Sequence, residues 1–131
     1  MFGSDNRSTA LVIIRVALAA IMFIHGAARI SHGGVTGFGD FLAGQGVPLG
    51  FYAAWAVTLF EIVGAVLLSV GVYAWIISVL FALHLAAGIV LVHWKEGWFV
   101  VGNGRNGMEF SLLLVVGFLA IALATYKRGA K

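Results

Sequence analysis

The chain has 131 residues, of which 62% are hydrophobic and only 10% charged, with a formal net charge of +3 and no cysteine. A water-soluble domain of this size needs a polar exterior, and this composition cannot build one, so lipid is the expected solvent. The absence of cysteine excludes disulfides, thiolate metal sites and thiol redox chemistry by the chain itself, and so small a charge gives no reason to expect a nucleic-acid partner.

The first apolar stretch, 10–31, is long enough to cross a bilayer at about 1.5 Å per residue. It lacks a small-residue cleavage site before polar mature sequence, so it reads as a permanent span rather than a cleaved signal peptide. Its face at spacings of four and three carries His25, Arg29 and His32, and that face is expected to look inward, with Gly26 and Ala28 admitting a close neighbour. Arg15, deeper in the other half, is expected to snorkel toward the nearer surface. Residues 32–51 form a loop with seven of the 18 glycines and the only proline, Pro48. Within it, Phe38, Phe41 and Leu42 suit a short interfacial helix.

The second and third spans, 52–71 and 73–93, are separated by a turn at Gly71 and so predict a tight antiparallel hairpin. Glu61 and His84 are equidistant from that turn and are expected near mid-membrane. If their faces meet, they form either a structural polar clamp or a proton-handling pair, and the spacing leaves both open. The loop 94–107 places Trp94 and Trp98 at headgroup level before a Gly/Asn-rich turn. The last span, 108–126, opens on Glu109, which can favour the positive helix end or cap nearby amides. With Asn103, Arg105 and Asn106 it would add to a polar outer pocket containing His25 and Arg29, suited to a carbonyl or quinone head group. The fold class is therefore all-α, a four-transmembrane-helix bundle forming a single integral membrane domain. Arg7, Lys127, Arg128 and Lys131, with Arg15 snorkelling toward them, outweigh Lys95 and Arg105 with Arg29 near its helix end, which predicts cytoplasmic termini.

Signatures of common catalysts are absent, including a phosphate loop, a His-Glu-x-x-His run and a convincing serine triad. His25 and His84 lie on helices of the same direction, but their heights differ by a turn or more, so haem is not expected and no metal site is assigned.

Arg15, the run Phe23-Ile24-His25-Gly26 with Arg29, the loop Gly46-Val47-Pro48, Glu61 with Gly64, Gly71, His84, and Asn106-Gly107 with Glu109-Phe110 follow one another in an order and spacing similar to the DoxX-like membrane proteins. The tail from Thr125 to Lys131 departs from the glycine- and aspartate-containing ending of many members. The resemblance implies a four-helix protein of a bacterial or archaeal inner membrane. It also implies a subunit of a redox complex, as in thiosulfate:quinone oxidoreductase or oxidative-stress assemblies, more an accessory subunit than a stand-alone enzyme. The positions that match the family pattern are Arg15, His25, Gly26, Arg29, Glu61, His84 and Glu109. A quinone is the ligand this reading expects, with redox-complex proteins or further copies of the chain as partners. The alternatives are a non-enzymatic scaffold or assembly subunit and, third, a small transporter or proton pathway.

Overall fold

The computed structural model describes residues 3–129. Lys131 therefore lies outside the described residues, as do the side chains of Lys127 and Arg128, so the charge asymmetry at this end is known from sequence alone. All regular structure among the described residues is helical: α1 (Ser4–Ser31), α2 (Val35–Gly44), α3 (Gly50–Ser69), α4 (Ala74–Gly88) and α5 (Glu109–Gly129). A π-helical turn, Ile89–His93, and a 3-10 turn, Trp94–Glu96, continue α4. Four stretches have the length and apolarity of membrane crossings: Asp5–Ser31, Gly50–Ser69, Ala74–Glu96 and Glu109–Tyr126.

The boundaries differ from the sequence expectation in instructive ways. The first helix begins six residues earlier than the apolar pattern, because polar residues before Ala10 continue it and Asp5 in its first turn complements the positive helix end. The short helix expected in the first long loop is present as α2. It ends where the Val47 amide donates to Leu42 O and the Gly46 amide to Ala43 O, the paired bonds of a Schellman cap, with Gly46 at φ 88°. The same pairing closes α3, from Val72 to Leu67 and from Gly71 to Leu68, with Gly71 at φ 83°. An L side chain at either glycine would meet the left-handed penalty.

The described chain forms two compact units. One comprises residues 19–72: the rest of α1, α2 and α3. Its apolar centre is Val35, Leu42 and Ala54, with Phe38, Phe41, Val47 and Trp55 packed around them. Here α2 crosses α3 almost backbone to backbone: a Cβ on Gly39 would lie 3.0 Å from Phe51 Cα, and one on Gly50 would meet the Gly39 carbonyl at 2.4 Å. The other unit joins the start of α1, through Leu18, to everything from Tyr73 onward. Buried residues recur at helical spacing on α4 (Ala74, Ile77, Ser78, Phe81, Ala82) and on α5 (Leu114, Phe118, Ile121, Ala122). Phe81 and Phe118, both fully buried, stack with centroids 5.2 Å apart. Leu18 packs on α5 at Gly117, where a Cβ would stand 3.2 Å from its Cδ1. Large apolar side chains on the remaining faces, such as Leu123 at 81% exposure and Leu113 at 66%, are the surface offered to lipid.

Candidate functional site

The most developed polar arrangement lies in the unit of residues 19–72, between α1 and α3. Met22, Gly26 and Arg29, at i, i+4 and i+7, share one helical face, and Met22 and Gly26 are buried. Gly26 lets the helices meet closely: a Cβ there would lie 2.9 Å from Ile62 Cγ1, 3.0 Å from Thr58 O and 3.1 Å from Glu61 Cβ. One turn further, Arg29 reaches the same stretch of α3. Its Nη1 donates to Glu61 Oε1 and to Thr58 Oγ1, each at 3.0 Å. The Thr58 hydroxyl donates onward to Ala54 O at 2.7 Å, so it presents its lone pairs to the arginine. On α2, the ring of Phe38 lies 4.4 Å from the guanidinium carbon, a cation–π contact. The Glu61 side chain is 1% exposed and that of Arg29 20%. A carboxylate so deeply buried needs a cation beside it, and Arg29 supplies one.

Arg29 is not used up by these bonds. Both leave from Nη1, while Nε and Nη2 make no hydrogen bond among the described residues. The group can therefore accept a further oxygen along its other edge. Glu61 offsets the charge of Arg29, which suits a polar neutral oxygen better than a free anion.

The other sequence candidates are distributed differently. His25 is exposed, which corrects its expected inward aspect: the buried strip runs through Gly26, one residue and about 100° further round the helix. His32 is also exposed, at the end of α1. Spacing to the turn singles out His84 for Glu61. Within its own unit Glu61 is held by Arg29, and His84 is half-buried in the other unit. The outer-loop residues also belong to that second unit. Asn103, Arg105 and Asn106 are exposed, and half-buried Glu109 accepts the Val100 amide at 2.9 Å. That bond adds to a backbone clasp in which Gly107, Met108 and Glu109 amides donate to Phe99, Gly97 and Trp98 carbonyls. Gly107 is required there, since a Cβ would lie 2.4 Å from the Trp98 carbonyl carbon. Pro48 is exposed between the α2 cap and Leu49, which takes a left-handed conformation (φ 54°) to start α3.

Three residues of these arrangements carry little sequence signal. Thr58 and Phe38 look like ordinary helix residues, and only the crossing of three helices brings them to Arg29. His93 closes the π-helical turn, and its Nδ1–H donates to the Asn106 carbonyl at 2.8 Å, which fixes the tautomer. A histidine at the end of an apolar run, before a glycine-rich loop, was the signal available.

Residues 10–94 match the family model described as DoxX, a stretch that contains Arg29, Phe38, Thr58 and Glu61 and ends before the Glu109 clasp. The chain is similar to a Bacillus subtilis (strain 168) protein named "Putative oxidoreductase CatD", at 31% identity over 112 residues, covering 86% of this chain and 76% of the relative. No solved structure matches significantly. The family match over most of the chain, together with four helices of membrane-crossing length, establishes that this multi-pass membrane protein belongs to the DoxX family.

Proposed function

We propose that the protein is the membrane-embedded subunit of a redox system and that the Arg29 node receives the ring carbonyl of a membrane quinone. The observation that carries this reading is the guanidinium itself: anchored at Nη1 by Glu61 and Thr58, faced by Phe38, on a side chain that is one-fifth exposed. A site with one directed N–H edge and aromatic surface fits a quinone ring, whose carbonyl accepts without bringing charge into the bilayer. His25, exposed four residues earlier on the same helix, is the titratable group available for a proton on reduction. The chain has no cysteine for thiol or iron–sulfur chemistry, and in this reading electrons come from a partner protein carrying its own cofactor. The oxidoreductase name of the Bacillus subtilis relative agrees with this class of chemistry. The excess of basic residues at the chain ends supports cytoplasmic termini in such an assembly.

Titration of the purified full chain with decylubiquinone tests the proposal. Saturable binding is expected, weakened about tenfold in Arg29→Lys, which keeps the charge but not the planar donor edge. Equal affinity in the wild type, Arg29→Lys and His25→Ala would overturn it.

A second reading, an assembly subunit, draws on how completely Glu61 is buried: a charge pair with so deeply buried a carboxylate can fix helix register without taking part in chemistry. Glu61→Gln separates the two. Both readings expect some loss of stability, so partner recovery decides: loss of the co-purifying partner with quinone binding unchanged favours the scaffold, whereas intact assembly with lost quinone binding favours the redox site.

A further inference from the structure

The loop that joins α4 to α5 is fixed from within and left bare outside. Glu96 ends one crossing-length stretch and Glu109 opens the next, so residues 97–108 stand beyond both. Backbone bonds from Met108 to Gly97, from Gly107 to Phe99 and from Glu109 to Trp98 tie the two ends of the loop together. The Glu109 carboxylate takes the Val100 amide, the His93 ring donates to the Asn106 carbonyl, and between them Gly102 at φ 83° and Asn106 at φ 59° turn the chain. Ordering so glycine-rich a segment carries a large entropic cost, and here the clasp meets it in advance of any contact. What the ordered loop presents is Val101 at 74% exposure, Trp98 at 48% and an exposed Arg105. Val101 gains nothing from the fold of its own chain, and a tryptophan and an arginine on the same loop are the residue types that anchor protein interfaces.

The charges of the loop point to what covers it. Arg105 and Glu96 are both exposed, and neither makes an ion pair among the described residues. The bond between Met108 and Gly97 sets them near one height: Glu96 precedes Gly97 by one residue and Arg105 precedes Met108 by three, a difference that two long side chains span. A partner surface of a single sign satisfies one of these charges and strands the other. A second copy of the chain satisfies both, because about a two-fold axis Arg105 faces the second copy's Glu96 while Glu96 faces its Arg105. Copies held in one bilayer with one orientation place that axis along the membrane normal, which keeps both loops at the same level. Lys95, a third of a turn from Glu96 in the 3-10 turn, is left at the rim. We propose that two copies of the chain associate through these loops, with Val101 and Trp98 at the centre of the contact and two reciprocal Arg105–Glu96 pairs around it. Exposed pairs of this kind set register and add little affinity, which the apolar centre supplies. The surface lies wholly within the unit that runs from Tyr73 onward, so it does not depend on the quinone reading of Arg29 in the other unit.

The test uses the full chain in two settings. In a neutrally buoyant detergent, sedimentation equilibrium reads the dimerisation constant. Association is expected to weaken about tenfold in Arg105→Glu and in Glu96→Arg, and to return to within about threefold of the wild type when both reversals are combined. In vesicles of phosphatidylethanolamine and phosphatidylglycerol, cross-linking reads the contact itself. Because the chain has no cysteine, Val101→Cys carries a single thiol, and oxidation should give a disulfide-linked dimer, whereas Leu123→Cys, on the lipid face of α5, should give little. Should a charge reversal fail to fold, the cross-link in the otherwise unchanged chain decides. A monomer at every concentration, single reversals with unchanged association, a double reversal no tighter than the singles, or no Val101→Cys dimer overturns the proposal. So does a Val101→Cys thiol that a water-soluble maleimide cannot reach in permeabilised vesicles of monomeric protein, since lipid then covers the tip.

Discussion

Removing the charge of Glu61 while keeping its shape, as in Glu61→Gln, should destabilise the protein by about 2–3 kcal/mol. Arg29 and Glu61 approach to 3.0 Å, and at an effective dielectric of about 20 unit charges at that separation attract by roughly 5 kcal/mol. Desolvation offsets part of this, because the carboxylate is 1% exposed, whereas the arginine retains a fifth of its exposure. Glutamine keeps a carbonyl oxygen for Nη1, so the hydrogen bond survives in its weaker neutral-acceptor form. What is lost is the charge term, at the expense of a guanidinium left facing an amide. A denaturant titration in detergent reads the change directly, and the thermal midpoint should fall by roughly 10 °C. The decisive comparison is a cycle. Glu61→Leu alone strands the arginine and should cost about 3–5 kcal/mol, whereas Arg29→Met with Glu61→Leu replaces the pair by apolar groups and should recover at least half of that. A Glu61→Gln protein within about 0.5 kcal/mol of the wild type, or single effects that simply add in the double variant, would refute the electrostatic account of the node.

Three further outcomes follow from the packing. Gly26→Ala puts a methyl 2.9 Å from Ile62 Cγ1 and 3.0 Å from the Thr58 carbonyl, and because one neighbour is backbone the helices must part, costing about 1–3 kcal/mol in the same titration. Phe118→Ala empties a fully buried site beside Phe81 and should cost about 3–5 kcal/mol, while Leu123→Ala, on the lipid face, should stay within about 1 kcal/mol. Glu109→Ala removes the acceptor of the Val100 amide, so hydrogen exchange at that amide should quicken about tenfold with α5 protection unchanged; unchanged exchange at Val100 would refute the clasp.

Much of this molecule is decided locally. An apolar run of about 20 residues has to become a helix in lipid, since no other form satisfies its backbone, so the four long helices were legible from hydropathy alone. Gly71 after the second span made its cap legible too, because the left-handed residue of a Schellman cap costs glycine least. The ionisable residues within the spans could likewise be named as a set, since burying any of them demands a partner. Which partner it would be was not legible. Spacing to the turn sets Glu61 and His84 at one depth, but depth leaves rotation about each helix axis undetermined, so the bond from Arg29 to Glu61 could not be read from it. Only packing against a neighbour sets rotation, and here the close approach at Gly26 turns Arg29 onto Glu61 and Thr58 while leaving His25 exposed. The same holds for Phe38, an apolar residue of a loop helix until α2 folds against α3 and sets its ring beside the guanidinium. Sequence by itself determined the solvent, the number of crossings and the residues that needed partners, because these depend on transfer energies of single segments. The tertiary structure decided the pairing, because pairing depends on angles between helices that no single segment contains.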